Sequence, residues 1–169
     1  MNKIKEAIQK MLQFAEGRVL LALAVSLLIA GGAFLSNRAM PVIPPSENLV
    51  IVTQSGKEYV FDVEIADTPA EHEMGLMYRR MMAADHGMLF KMGFPPKEIQ
   101  FWMKNTVLPL DILFVDEAGQ IRTIKRGSPG SLVPIGSEAP VVAAIELNAG
   151  VPGNLGIHPG DRVKHAYFK

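Results

Sequence analysis

Short runs of apolar residues, each bounded by turn-forming residues, recur along the chain from residue 49 onwards. In the clearest run Tyr59, Phe61, Val63 and Ile65 alternate with mostly polar residues. A period of two predicts a strand with one buried side and one solvent-facing side. The predicted strands are Leu49–Thr53, Tyr59–Ile65, Met88–Lys91, Ile99–Met103, Asp111–Val115, Gln120–Lys125, Val141–Leu147 and Arg162–Phe168.

One segment between these strands has the signals of a helix. Either residue of Asp67–Thr68 suits the N-cap, Pro69 suits the first helical position, and Glu71 suits the first turn. We expect this helix to run to about Met81. Its interior Gly75 costs ~1 kcal/mol against alanine, which indicates close packing on the sheet.

The remaining segments of the domain are rich in glycine and proline. Gly127–Pro140 predicts a long irregular loop, and Ala149–Gly160 predicts no more than one turn of helix. Many short strands joined by turns, with one helix, indicate a mainly β fold of the β-rich α+β kind. We therefore predict a compact, mostly antiparallel, barrel-like domain with one packed helix.

The amino-terminal part of the chain has a different pattern. Residues 19–37 contain no charged side chain, and ~20 apolar residues are enough to cross a bilayer as a helix. Residues 1–18 form a basic amphipathic segment, which the positive-inside rule places in the cytoplasm. We expect a transmembrane anchor at 19–37, a proline-rich linker at 38–48, and a β-rich domain at 49–169 outside the inner membrane.

A cleaved signal peptide is the alternative reading of residues 19–37. Ala30-Gly31-Gly32-Ala33 supplies the small residues at which such a peptide ends. The anchor predicts a single-pass inner-membrane protein, whereas the signal peptide predicts a secreted one. The two readings agree that the folded domain leaves the cytoplasm.

Composition and charge exclude several classes of function. Lysines and arginines number 17, aspartates and glutamates also number 17, and no cysteine is present. Disulfides and thiolate chemistry are therefore excluded. The sequence also lacks the concentrated basic stripe that would indicate a nucleic-acid partner. The four histidines are scattered without metal-ligand spacing, and no phosphate-binding or nucleophile motif is present. We predict neither a metal nor a cofactor.

Polar residues are concentrated between two apolar blocks in the segment from Phe101 to Asp116. Lys104, Asn105, Thr106 and Asp111 place a cation, an amide, a hydroxyl and a carboxylate within eight positions. Convergent polar groups in an apolar wall are typical of a ligand pocket, although the same groups also serve as structural ties. Strand alternation places Trp102 on the same side as Lys104, and Asp111 is predicted to orient or pair with Lys104.

Glu146 is a lone carboxylate in an otherwise apolar predicted strand. Burial of an unpaired carboxylate costs several kcal/mol, so we expect a partner such as Lys104, Arg79 or Arg80. A catalytic role for Glu146 is the alternative. Arg79 itself is a further candidate for the rim of the ligand site.

Several longer motifs in this order and spacing resemble one known family. They are GLM at Gly75–Met77 followed by Arg79 or Arg80, GMLF at Gly87–Phe90, FWMKNTVLPLDILFVD at Phe101–Asp116, IELNAG at Ile145–Gly150 and GIHPGDRV at Gly156–Val163. Over residues 50–169 the chain is similar to domain of unknown function 192, also called uncharacterised protein family 0127. The resemblance implies a small barrel-like β domain, often exported or membrane-anchored, with no established activity.

These observations lead to one functional prediction and two alternatives. We predict a small binding module in the cell envelope, for a polar or anionic small molecule, with Gly127–Pro140 as the roof of its pocket. The first alternative is an envelope enzyme, hydrolase-like, that uses Asp111 or Glu146 with Lys104 for acid–base chemistry. The second is a module that binds another protein.

Overall fold

The computed structural model describes residues 45–168, whose strands form one large sheet and one small one. The strands are β1 (Ser46–Val52), β2 (Glu58–Ala66), β3 (His86–Lys91), β4 (Gln100–Phe101), β5 (Leu110–Val115), β6 (Ile121–Gly127), β7 (Ile135–Gly136), β8 (Ala143–Asn148) and β9 (Arg162–Lys164). The helices are α1 (Pro69–Met74) and α2 (Val151–Leu155). The large sheet has the order β6-β5-β8-β3-β2-β1-β9, and β4 pairs with β7.

The large sheet is curled into a half-barrel, so that its two edge strands meet at one end. There the Ile121 N–H donates to the Asp161 carbonyl at 2.9 Å, and the Val163 N–H donates to the Gly119 carbonyl at 2.7 Å. The prediction of a mainly β, mostly antiparallel fold is confirmed. The one parallel pair in the large sheet is β2 with β3, which the α1 crossover connects.

Apolar side chains form two clusters, one on each face of the sheet. The inner cluster lies inside the curl and includes Phe61, Leu89 and Ile145, whereas the outer cluster includes Phe90 and Ile112. Strands β3, β5 and β8 contribute to both clusters, and they are therefore buried on both faces. Burial on both faces explains why these strands are almost continuously apolar.

Helix α1 is part of the cover over the outer cluster. Of the two predicted N-cap residues Thr68 is the cap, and it forms a reciprocal capping box with Glu71. The helix ends at Met74, so the predicted extension to Met81 is wrong. Gly75 adopts a positive φ of 45° and ends the helix, and a Cβ there would lie 3.2 Å from Phe90 Cζ. The predicted close packing of Gly75 on the sheet is confirmed.

Two glycine- and proline-rich segments are more ordered than predicted. The segment 128–140 contains β7, whose pairing with β4 ties it to the outer face of the large sheet. Helix α2 extends over five residues, which is more than the single turn predicted. By contrast, β4 and β9 are shorter than predicted, because backbone pairing stops at Phe101 and at Lys164.

The predicted basic segment 1–18, the anchor or signal peptide at 19–37 and most of the 38–48 linker lie outside the described residues. Within the described part of the chain, no helix has the length and apolar character needed to cross a bilayer.

Replacement of Thr68 by alanine tests whether the cap holds α1 in place. The Thr68 hydroxyl accepts from the Glu71 N–H at 3.3 Å, so its loss leaves that N–H without a partner. We expect Thr68→Ala to lower the free energy of unfolding by about 1 kcal/mol. Urea denaturation followed by the fluorescence of Trp102, the only tryptophan, measures this. Thr68→Ser is the control, and equal midpoints for the Ala and Ser variants would contradict the prediction.

Candidate functional site

The segment after β4 turns away from the sheet and presents polar residues to solvent. Trp102 is 48% exposed, and the Lys104 ammonium lies 5.3 Å from the centroid of its ring. This distance is within the range of a cation–π contact. The predicted sharing of one environment by Trp102 and Lys104 is confirmed. Lys104 forms no ion pair with any residue between 45 and 168.

Asn105 holds this turn against the segment that follows α1. The Asn105 side-chain amide donates to the Tyr78 hydroxyl at 2.8 Å, and the Asn105 backbone carbonyl accepts from the Tyr78 N–H at 2.9 Å. Both residues have positive φ, 55° for Asn105 and 64° for Tyr78. Asparagine tolerates this conformation better than most residues do, which explains its place in the turn.

Two clefts lie beside Trp102, which is the one lining residue that they share. The first has a volume of about 400 Å³, and the second of about 420 Å³. The first is lined by His72, Phe90, Met92, Gln100, Phe101, Trp102 and Pro134. The second is lined by Ala70, Glu73, Met74, Met77, Tyr78, Trp102, Lys104 and Asn105. Pro134 is the contribution of the predicted roof segment 127–140.

A narrow slot of about 30 Å³ shares lining residues with both clefts and reaches the sheet. Glu146 of β8 lines the slot, together with Thr106 and residues of α1. In the register of the sheet, Glu146 lies opposite Met88 on one side and Ile112 on the other. Glu146 therefore points from the sheet toward its outer cover.

The Glu146 side chain has no partner in the part of the chain that the structure describes, contrary to the prediction of a cationic neighbour. The residue is 4% exposed, and it makes no hydrogen bond or ion pair within residues 45–168. Burial raises the pKa of Glu146 to about 8 from its usual 4.5. The carboxyl group is therefore mostly neutral at pH 7. Of the predicted partners, Lys104 contacts Trp102 and Arg79 pairs elsewhere.

Thr106 is buried and closes the turn. Its hydroxyl donates to the Lys104 carbonyl at 3.2 Å, and its N–H donates to the Met103 carbonyl at 3.0 Å. This residue is therefore a structural tie within the turn, as the sequence allowed, and it also lines the slot.

The predicted pairing of Lys104 with Asp111 is wrong. The Asp111 carboxylate accepts from Arg126 Nε at 2.5 Å and from Arg126 Nη2 at 3.0 Å, and it also accepts from the Gly150 N–H at 2.7 Å. Arg126 lies directly opposite Asp111 across β5 and β6. Alternation along β5 places Asp111 on the face opposite to Ile112, and hence away from the clefts.

Arg79 also lies outside the lining of the clefts. Its guanidinium forms a bidentate pair with Glu64 of β2, a contact that holds the segment after α1 on the edge of the outer face. Neither Arg79 nor Asp111 lines the slot or the clefts on either side of Trp102.

Several lining residues were missed by the sequence reasoning, in particular His72, Glu73 and Tyr78. His72 was noted only as one of four scattered histidines, but its Nε2 lies 3.0 Å from the Ala66 carbonyl and its ring contacts Phe90. The capping box at Thr68 showed where α1 begins, but no signal in the sequence showed which of its side chains face the sheet. Groups of three or more potential metal ligands are absent from the described residues.

A cleft of about 410 Å³ elsewhere on the domain is a weaker candidate. It is lined by Tyr59, Val60, Phe61, Ala84, Asp85, Val151, Asn154 and Leu155. Its one acidic residue, Asp85, is exposed and already pairs with His86. That cleft therefore lacks the buried, unpartnered polar group that distinguishes the slot beside Trp102.

Two solved structures have the same architecture as this chain. A putative transcription regulator from Sinorhizobium meliloti 1021 is 45% identical, with a TM-score of 0.74, over 76% of this chain and 100% of its own. A protein of unknown function from Novosphingobium aromaticivorans DSM 12444 is 36% identical, with a TM-score of 0.68, over 76% of this chain and 94% of its own. No curated protein matches the chain.

The family model of domain of unknown function 192, described as an uncharacterised group, matches residues 50–165. The motifs around Phe101–Asp116 and Gly156–Val163 fall within this match. The chain therefore belongs to the domain of unknown function 192 family.

Proposed function

We propose that the chain is a binding module for a small ligand with an anionic or strongly polar end. Its site is the pair of clefts on the two sides of Trp102. The observation that carries the proposal is Lys104, a cation without a carboxylate partner among residues 45–168, which stacks on a half-exposed tryptophan beside a cleft. A structural lysine would instead have an acidic neighbour or point away into solvent.

The chemistry of the clefts supports this role. Most of the lining is apolar or aromatic, and the polar groups are few and lie close together, as is typical of small-molecule sites. Lys104 supplies N–H donors beside the second cleft, where an anionic group would bind, and Asn105 holds the turn that carries it. Trp102 supplies a flat apolar surface for the rest of the ligand.

An acid–base enzyme is the second candidate function, because one observation favours it. A buried carboxyl group with a pKa near neutrality, facing a cleft, is a common feature of general acids. Asp111, the other predicted catalytic residue, is occupied by Arg126 and Gly150. A protein-binding role would instead use the exposed apolar residues Leu132 and Val133, which are 66% and 69% exposed.

We also propose that the module acts outside the cytoplasm, anchored by residues 19–37 in the inner membrane. The support is the uncharged stretch and the basic residues that precede it. A ligand-binding domain at this position would meet small molecules of the envelope rather than those of the cytoplasm.

Substitution of Lys104 tests the mouth of the site. A thermal-shift panel of small carboxylates, amino acids and phosphates identifies compounds that stabilise the full chain. For each such compound, we expect Lys104→Gln to weaken binding about tenfold or more, equivalent to about 1.4 kcal/mol, because the ligand loses its countercharge. Quenching of Trp102 fluorescence measures the affinity.

Lys125→Gln is the matched control, because Lys125 is a partly exposed lysine that pairs with Glu138 at 2.6 Å and lines neither cleft. Equal losses in the two variants would indicate a general charge effect and not a site. Unchanged binding in Lys104→Gln would contradict the proposal.

Glu146→Gln tests whether the buried carboxyl group of Glu146 keeps its proton in the folded protein. The folded protein holds the Glu146 proton up to a pKa of about 8, whereas the unfolded chain releases it near 4.5. Stability therefore falls as pH rises between these values, by up to about 1.4 kcal/mol per pH unit. We expect this slope to be present in the natural chain and absent in Glu146→Gln, as measured by urea unfolding from pH 5 to 8. Equal slopes would show that the carboxyl is paired.

Cell fractionation tests the proposed location. We expect the chain to stay with the inner membrane after carbonate extraction, at its full mass, and to be digested by protease added to spheroplasts. A shorter soluble product in the periplasm would support the cleaved alternative. A protease-resistant chain in the cytosol would contradict both.

A further inference from the structure

We propose that the slot at Glu146 receives a primary ammonium group, so that the ligand is a small zwitterion with its anionic end at Lys104. This inference rests on the proposed binding function and deepens it. Its basis is a carboxyl group that is almost fully buried, has no partner within residues 45–168, and lines a cavity open to the clefts beside Trp102.

The size of the slot selects a small head group. Its volume of about 30 Å³, against about 400 Å³ and about 420 Å³ for the two clefts, admits a group of only a few atoms. A primary ammonium group is small enough to enter, whereas a guanidinium group or a sugar ring is larger. The wider clefts on both sides leave room for the remainder of the ligand.

The polar side chains that line the slot offer acceptors for hydrogen bonds. Thr106 already uses its hydroxyl hydrogen on the Lys104 carbonyl, which leaves its lone pairs free. His72 Nε2 faces the Ala66 carbonyl and must carry the hydrogen, so Nδ1 of the neutral ring is an acceptor. The carboxylates of Glu146 and Glu73, which also line the slot, are further acceptors, and a primary ammonium group has three donors and no acceptor.

The surroundings of the slot strengthen an ammonium–carboxylate pair. Phe90, Phe101 and Trp102 form apolar walls, and attraction between opposite charges is stronger where water is excluded. The titratable groups nearby are His72 and Glu73 on α1, with Lys104 beside the adjoining cleft. The neighbours of Glu146 on β3 and β5 are uncharged. An incoming ammonium group would therefore be the cation that this carboxyl lacks.

Binding would then release a proton. The free protein holds Glu146 as a neutral carboxyl up to about pH 8 because of burial. When the ammonium group enters, the carboxyl loses its proton to the solvent and becomes the carboxylate partner. Below pH 8, affinity should rise up to tenfold per pH unit, because the proton competes with the ammonium group.

Calorimetric titration of the full chain tests this inference. The probes are the straight-chain amino acids from glycine to 6-aminohexanoate, each compared with the carboxylic acid and the hydroxy acid of the same length. We expect at least one amino acid to bind tenfold or more tightly than its two analogues at pH 8. At pH 7, titrations in buffers of different ionisation enthalpy should show the release of close to one proton per ligand bound.

Glu146→Gln removes the carboxylate and keeps the size of the side chain. We expect it to abolish both the proton release and the preference for the amino acid, while the plain acid still binds at Lys104. The proton release is measured on the natural chain, so the test does not depend on the folding of the variant.

Two outcomes overturn the inference in distinguishable ways. If the plain acids bind as tightly as the amino acids and depend on Lys104, the binding function stands and the ammonium site is wrong. The ammonium site is also wrong if affinity falls as pH rises, because Glu146 would then donate its proton to an acceptor on the ligand. If no member of the series binds, both the ammonium site and its underlying function are contradicted for this class of ligand.

Discussion

The burial of one carboxyl group on a strand that is covered on both faces is the constraint around which this domain is arranged. Strand β8 lies between β5 and β3, and its neighbours are apolar on either side of Glu146. A carboxylate in such a position, with no cation beside it, costs several kcal/mol. The group avoids much of this cost by keeping its proton, which is why its pKa rises to about 8. Burial of this kind, at the end of an open slot, is typical of functional sites.

The slot is formed by the segments that pack over the outer face of the large sheet. Helix α1 is fixed at its start by the capping box at Thr68, and at its end by the contact of Gly75 with Phe90. On the other side, Asn105 holds the turn after β4 through two hydrogen bonds to Tyr78. This contact joins the turn to the segment after α1 and not to the helix itself. Space remains around Trp102, where the clefts lie, with Glu146 lining the slot and Lys104 lining the second cleft.

Local features of the site could be predicted from the sequence, whereas long-range partners could not. Local backbone geometry decides features that depend on residues within a few positions of each other. Such features are the N-cap of α1, the alternation along β2 and the shared surroundings of Trp102 and Lys104. The partner of Asp111 is 15 residues away and is set by the register of the β5–β6 hairpin. Proximity in sequence suggested Lys104 instead, because the face on which each residue lies was not yet known.

The sequence by itself determined the family, the mainly β class and which polar side chains are available to a site, because motifs and periodicity depend only on the order of residues. The tertiary structure decided which of those groups meet. An apolar strand that is buried on both faces has no polar side to mark its orientation, so alternation could not show which cover Glu146 faces. Only the packing of α1 and the Trp102–Thr106 turn over β8 places that carboxyl in a slot and leaves Asp111 and Arg79 paired elsewhere.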